Sequence, residues 1–214
     1  MRSNDSYLKS KAYRIIKDKI TRCELQPGSL ILEKALIDEI GASRTPIREA
    51  ISKLEEEHLV VVYPKHGIFV SQVTIKDIID IYAMRIIVES FAVRLAALVL
   101  EPDQIQPFKD LWRPEHAPLS PDEQNESDRE FHYLIAQSTG NKYLLQTFTT
   151  LFNQASRIRM MSLLRMEKRL EETKGEHLHI IEALLKKDED EAEKYMKIHL
   201  TSARETALRL FPAG

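Results

Sequence analysis

Residues 41–50, with the sequence GASRTPIREA, decide the fold of the first part of the chain. Gly41 stands where a left-handed residue would end one helix, and glycine adopts that conformation without steric cost. Ser43 and Pro46 are typical of the first turn of the next helix, where a side-chain oxygen can accept from free amides and proline loses no hydrogen bond. The stretch therefore predicts two helices joined by a tight turn.

The second of these helices carries an apolar stripe on one face and two arginines on the other. The stripe recurs at the helical period and is formed by Ile47, Ala50, Ile51 and Leu54. Arg44 and Arg48 lie one turn apart near the helix start. An arginine fork can bond O6 and N7 of guanine together, so the arrangement predicts a helix-turn-helix whose second helix reads DNA bases. The spacing alone is also consistent with a helical module whose arginines are solvated surface residues, and this is the alternative interpretation.

An amphipathic segment precedes this motif. Residues 6–23 carry apolar residues on one helical face, and Pro27-Gly28 predicts the turn that ends this helix. A short helix over residues 33–40 is predicted to turn Ala35, Leu36 and Ile40 inward.

A hairpin follows the motif. Residues 58–73, HLVVVYPKHGIFVSQV, contain two β-prone runs separated by the turn residues 63–67. A hairpin in this position predicts a wing, so residues 1–73 are expected to form a winged helix-turn-helix domain.

The remainder of the chain reads as helical. Ile75 begins a segment whose apolar spacing predicts one helix of about 25 residues. Further helices are predicted over residues 102–112, 122–138, 141–165, 167–187 and 188–210, punctuated by Pro114, Pro118, Pro121, Gly140 and Gly175. The predicted fold class is mainly α, with an N-terminal winged helix-turn-helix and a C-terminal all-α helical bundle over residues 74–214.

Composition limits the classes of function. The 214 residues hold 31 Lys and Arg against 33 Asp and Glu, so a nucleic-acid partner would need a local basic surface and not an overall basic coat. The single cysteine, Cys23, excludes an intramolecular disulfide. Neither a long apolar run nor a signal peptide is evident. We therefore expect a cytoplasmic protein without a membrane partner.

Three histidines of the helical part fall on apolar helix faces. Asp128 and His132 are four residues apart and share one side of a predicted helix, while His177 and His199 lie on the inward stripes of two others. Three histidines and one carboxylate can form a metal site in a bundle core. Hydrogen-bonded core histidines, with Asp128 as a helix cap, are the alternative that the spacing leaves open.

The stretch LEKALIDEIGASRTPIREAISKLEEEHLVVVYPKHGIFV closely resembles the DNA-binding domain of the GntR family of bacterial transcription regulators. The resemblance covers about residues 8–73 and implies contacts with operator DNA from both the helices and the wing. The positions that match the family's DNA contacts are Lys34, Arg44, Thr45, Arg48, His66 and Gly67.

The motifs DREFH, EHLHIIEAL and AEKYMKIHL resemble the ligand motifs of the all-helical, FCD-type effector-binding domain of FadR-like GntR regulators. The resemblance implies a divalent metal, with zinc first and nickel or manganese also reasonable, held by Asp128, His132, His177 and His199. It also implies a homodimer, a small carboxylate effector and a pseudo-palindromic operator. Arg85 matches a position that can assist effector binding, although an ion pair with Glu89 explains it equally well.

Segment 108–128 departs from the family pattern, since it is short and contains three prolines, so the outer wall of the pocket is left open. Within it, Trp112 is expected in the core and His116 in solvent.

The expected function is a sequence-specific, ligand-responsive regulator, a repressor by preference, and not an enzyme. One rival is a metal-free regulator that responds to an acyl-type effector, with the histidines as core residues. The other is a metal-dependent hydrolase, for which only Glu130 and Glu176 adjoin the ligand motifs as possible bases.

Overall fold

The computed structural model describes residues 2–113, 115–117, 119–163 and 167–209, so the predicted breaks at Pro114 and Pro118 lie outside the described residues. The chain forms two compact units, Met1–Val73 and Thr74–Gly214. The predicted fold class is confirmed, because the first unit combines helices with a small sheet and the second is helical throughout its described residues.

The first unit is a winged helix-turn-helix. Its elements are α1 (Arg2–Thr21), β1 (Leu30–Ile31), α2 (Glu33–Ile40), α3 (Arg44–Glu56), β2 (Val60–Tyr63) and β3 (Gly67–Val70). The strands form an antiparallel sheet in the order β1-β3-β2, in which Tyr63 pairs with Gly67 at the hairpin turn. The hairpin prediction is confirmed, whereas the two-residue strand β1 has no counterpart in the sequence prediction.

The core of this unit lies between α1 and α3. Ala12, Ile16 and Ile20 of α1 are fully buried, as is the whole predicted apolar stripe of α3. In α2, Leu36 and Ile40 are buried but Ala35 is exposed, so the inward prediction for Ala35 was wrong. Successive helical residues point about 100° apart, and this two-turn helix buries only one narrow edge.

The turn between α2 and α3 has the predicted backbone. Gly41 is left-handed with φ of 70°, and its amide donates to the Ile37 carbonyl. Ser43 occupies the N-cap position of α3, but its side chain makes no capping hydrogen bond. An N-cap side chain usually accepts from the amide of the second or third helical residue. The third residue of α3 is Pro46, which has no amide hydrogen, so one of these two donors is missing and the expected cap is absent.

The second unit is a helical bundle. Its described helices are α4 (Ile75–Val99), α5 (Pro102–Leu111), α6 (Pro121–Ser138), α7 (Lys142–Leu163), α8 (Glu167–Leu185) and α9 (Glu189–Arg209). Reciprocal capping boxes start two of them, from Thr74 with Asp77 and from Ser120 with Glu123. Gly175 lies inside α8, so it does not interrupt the helix as a boundary would.

Small residues of α4 let its neighbours pack closely. Ala92, Val93 and Ala96 are buried against a cluster that includes Trp112 and Phe131, both fully buried. The core prediction for Trp112 and the solvent prediction for His116 are confirmed. Among the described residues, no helix combines the length and apolar character needed to cross a membrane.

Candidate nucleic-acid interface and metal centre

The predicted DNA contacts lie at the surface of the first unit. Lys34, Arg44, Thr45, Arg48 and His66 are exposed, and Gly67 is half-buried with φ of 122°. Three of the six predicted positions, Arg48, His66 and Gly67, line one groove of about 670 Å³ between α3 and the hairpin. The other three, Lys34, Arg44 and Thr45, are exposed outside this groove.

Arg48 is held by a carboxylate that sequence reasoning missed. Its Nε lies 2.7 Å from Glu33 Oε1 and its Nη2 lies 3.3 Å from Glu33 Oε2. This two-point contact joins Arg48 of α3 to Glu33, the first residue of α2, and both residues line the groove. The Glu33 carboxylate has a lowered pKa because it accepts from Arg48.

In the second unit, the four predicted metal ligands converge. Asp128 and His132 come from α6, His177 from α8 and His199 from α9, and each offers one ligand atom within 4.8 Å of the others. All four side chains are buried. Their helical spacing explains the convergence, because each is placed on the apolar face of its helix.

The closest donor separations suit one ion. His177 Nε2 lies 3.4 Å from both Asp128 Oδ1 and His132 Nε2. Donors that bind one zinc ion tetrahedrally at bond lengths of roughly 2.0–2.1 Å stand roughly 3.4 Å apart. The Oδ1 atom of Asp128 is buried without a hydrogen-bond donor among the described residues. A cation would satisfy this oxygen, so the donor set fits a divalent metal.

Two of the histidines are oriented by carboxylates. His132 Nδ1 lies 2.5 Å from Glu89 Oε2, and His199 Nδ1 lies 2.8 Å from Glu176 Oε2. An ionised carboxylate only accepts, so each histidine carries its proton on Nδ1 and presents the lone pair of Nε2. Carboxylate–histidine pairs of this kind fix the ligating nitrogen in metal sites.

Burial keeps the imidazoles ready to ligate. Burial lowers the pKa of His177 well below its ordinary value, and the nearby His199 adds to this effect. The pKa of His199 is also lowered by burial, although Glu176 partly opposes the shift. Both rings are therefore neutral near pH 7, which is the protonation state that binds metals.

Asp128 is held by Arg159 of α7. An Nη1–Oδ2 ion pair joins the two side chains, while Oδ1 faces the histidines. Asn125 fixes the other side of the arginine, since Arg159 Nη2 donates to its backbone carbonyl at 2.6 Å. Burial, the largest single effect, would raise the pKa of Asp128, but Arg159 and the three histidines together outweigh it, and the pKa lies below its ordinary value. Oδ2 of Asp128 thus binds Arg159, while Oδ1 is available to a metal ion.

Arg85 forms the ion pair with Glu89 that the sequence offered as one of its two interpretations. It is buried toward the bundle, and its Nε lies 2.6 Å from Glu89 Oε1. Because Glu89 also binds His132, the arginine connects to the histidine cluster through it. Burial, the largest single effect, would raise the pKa of Glu89, but Arg85 and His132 together outweigh it and lower the pKa to about 2.

The cluster opens on one side. A cavity of about 30 Å³ is lined by Asp128 and His199 together with Arg85 and Arg159. Trp112 stacks on His177 with ring centroids 4.2 Å apart, and neither of these residues lines the cavity. Any ligand that reaches the cluster from this cavity would therefore meet two guanidinium groups.

The hydrolase alternative requires a general base near the cluster, and the sequence offered Glu130 and Glu176 for this role. Glu176 is engaged by His199, and Glu130 is exposed on α6. A general base must reach the water that it activates. Neither of the two glutamates that the sequence offered has that position.

Comparison with known proteins identifies both units. The model of the gntR family of bacterial regulatory proteins matches residues 8–70, and the model of the FCD domain matches residues 80–202. The HTH-type transcriptional repressor GlaR of Escherichia coli (strain K12) is 30% identical over 198 residues, which cover 88% of this chain and 90% of that protein.

Solved structures share the fold. The E. coli protein McbR/YncC has a TM-score of 0.81 at 19% identity, covering 95% of this chain and 98% of its own. The Zn²⁺-bound FCD domain of TM0439 has a TM-score of 0.55 at 19% identity, covering 67% of this chain and 100% of its own. With the family matches, these likenesses confirm the resemblance read from the sequence. The chain belongs to the GntR family of DNA-binding bacterial transcription regulators, and its second unit is an FCD domain.

Proposed function

We propose that this regulator is a homodimeric, ligand-responsive repressor whose FCD domain binds a divalent metal and a small carboxylate effector. The observation that carries the proposal is the convergence of Asp128, His132, His177 and His199 with oriented donor atoms. Similarity to GlaR, a repressor, supports repression as the direction of control.

Zinc is the first choice of metal. Histidine and carboxylate donors suit zinc, nickel and manganese alike, so the donor set does not choose among them. The similarity to a Zn²⁺-bound FCD domain favours zinc. When bound, the ion would act as a Lewis acid that holds an anionic oxygen of the effector. Glu89, Glu176 and Arg159 would hold the ligands in place.

Charge favours an anionic effector. The charged side chains that contact the cluster or its ligands are Arg85, Arg159, Glu89, Asp128 and Glu176, which sum to one negative charge. A divalent cation would leave an excess positive charge in a buried site, which is costly unless it is paired. A carboxylate entering through the cavity would compensate that charge. Arg85 is the proposed effector-binding residue, as it lines this cavity.

An apolar stripe on α4 supports a homodimer. Met84, Ile87, Phe91 and Leu98 follow the helical period and are exposed, Ile87 by 64% and Phe91 by 53%. Contiguous exposed apolar side chains of this kind mark interaction surfaces. Two copies related by two-fold symmetry would place two winged units on the half-sites of a pseudo-palindromic operator.

The winged unit would supply operator contacts through Lys34, Arg44, Thr45, Arg48, His66 and Gly67. Arginines at the start of α3 would read base edges in the major groove, and the hairpin turn would lie along the adjacent groove. For the effector to control DNA binding, it must bind the two states of the protein with different affinity.

Metal content tests the proposal. Wild-type protein purified without chelator is expected to contain about one zinc ion per chain by elemental mass spectrometry. The double variant His177→Ala/His199→Ala is expected to contain none. His179→Ala is the matched control, because His179 lies on α8 but is exposed and stacks on Tyr195.

The absence of a bound metal would contradict this proposal and favour another function. If wild-type protein takes up no ion after dialysis against zinc, nickel and manganese, the histidines are core residues. The metal-free regulator with an acyl-type effector then becomes the better hypothesis.

A further inference from the structure

Gln124 is a buried polar side chain that none of the roles above uses. It lies on α6 one turn before Asp128, and it is 1% exposed. Neither Nε2 nor Oε1 of its amide has a hydrogen-bond partner among the described residues. Burying an amide with both groups unpaired is costly, so such a residue requires an explanation.

The Gln124 amide faces the same cavity as the open side of the histidine cluster. Ser162 and Thr206 also line this cavity, but each hydroxyl donates to a carbonyl of its own helix, at 3.0 and 2.9 Å. The cavity volume of about 30 Å³ takes about two water-sized groups, so only the end of a short ligand can lie in it. A ligand anchored at a metal ion on Asp128 and His199 would place that end beside Gln124, which lines the same cavity.

We propose that Gln124 is a specificity residue of the effector site and selects short carboxylates that carry a hydroxyl group on the neighbouring carbon. This inference rests on the proposed metal-dependent effector site, and it adds the residue that distinguishes one carboxylate from another.

The hydrogen-bonding capacity of the amide leads to the hydroxyl group. An ionised carboxylate accepts but cannot donate, so it can satisfy Nε2 of Gln124 but not Oε1. An ammonium group would donate to Oε1, yet Arg85, Arg159 and a bound cation make the cavity unfavourable for another positive charge. A hydroxyl donates without charge, and it therefore meets both requirements. A site built to bond a hydroxyl discriminates strongly against the analogue that lacks it.

Acetate and glycolate form the matched pair of probes, since they differ only by one hydroxyl group. Each would be titrated into zinc-loaded, full-length protein by isothermal calorimetry. Glycolate has its own advantage at any zinc ion, so the informative quantity is the acetate-to-glycolate ratio of dissociation constants, compared between wild type and variants.

Gln124→Met keeps the side-chain length and removes both hydrogen-bonding groups. We expect the preference for glycolate to fall at least fivefold in this variant, while its zinc content and its helical signal in circular dichroism stay as in wild type. Gln137→Met is the control, because Gln137 is exposed on the same helix. The control is expected to keep the wild-type ratio.

The outcomes separate the two hypotheses. An equal ratio in wild type and Gln124→Met, with both acids bound, would overturn the role of Gln124 and leave the effector class intact. Failure of both acids to bind the zinc-loaded wild type would overturn the carboxylate effector, and the inference with it.

Discussion

At the scale of single residues, Arg48 would, under the proposed function, meet DNA with its guanidinium already paired to a carboxylate. Glu33 holds Nε and Nη2 of Arg48, while the guanidinium stays largely exposed at 64%. A guanine edge offers two acceptors to the same fork and can replace the carboxylate. A phosphate can also accept both N–H groups of the fork, so a comparison of operator with unrelated DNA is needed to show that Arg48 reads a base.

Replacing Arg48 with alanine should weaken binding to a selected operator. We expect a loss of roughly 5- to 150-fold, the range of one base-edge contact, with a smaller loss on unrelated DNA. Fluorescence anisotropy on both duplexes would measure it. The control is Arg22→Ala, since Arg22 is exposed just beyond α1. Equal losses on the two duplexes would assign Arg48 to the phosphate backbone.

The sequence predicted the residues with local signals and missed those whose role depends on distant partners. Asp128 and His132 could be paired because four residues separate them on one helix. Arg159 contacts Asp128 across 31 positions on another helix, and no motif announces that contact. Glu176 was considered as a base, yet it orients His199, 23 positions away.

At the scale of elements, helix periodicity made the fold predictable. The 25-residue helix α4 was predicted in position and length, because its apolar spacing persists and Thr74 caps it. Strand β1 was not predicted, since two residues carry no alternation and exist as a strand only through pairing with β3. Periodicity also could not reveal the cavity, which arises where several helices meet.

Two glycines should respond to alanine in opposite directions. Gly41→Ala should destabilise the protein by about 1 kcal/mol, because the alanine must keep a φ of 70°. Gly175→Ala should stabilise it by about 0.5–1 kcal/mol, because Gly175 lies inside helix α8. An added Cβ meets no atom within 4 Å at either site, so packing does not explain the difference.

Urea unfolding followed by circular dichroism would measure both changes, each relative to wild type. A stabilising effect of Gly41→Ala would contradict the left-handed cap between α2 and α3. A destabilising effect of Gly175→Ala would indicate a requirement for glycine in α8 beyond helix propensity.

At the scale of the whole molecule, the exposed face of α4 should decide the oligomeric state. Phe91→Glu places a charge in the middle of the apolar stripe. In light scattering coupled to gel filtration, we expect wild type to be dimeric and this variant to be monomeric, since burying an unpaired carboxylate opposes association. Ile198→Glu is the control, because Ile198 is an exposed apolar residue of α9 outside the stripe. A dimeric Phe91→Glu variant would place the interface elsewhere.

The two arginine–carboxylate pairs beside the histidine cluster have a consequence for how a cell would use this regulator. Arg85 with Glu89 and Arg159 with Asp128 already form balanced pairs, so the bundle does not need a cation for its charges to be compensated. Loss of the metal would then abolish the response to the effector without unfolding the protein. Under the proposed function, the regulator responds to its carboxylate effector only while the metal is bound, and without the metal it holds its target genes in one fixed state.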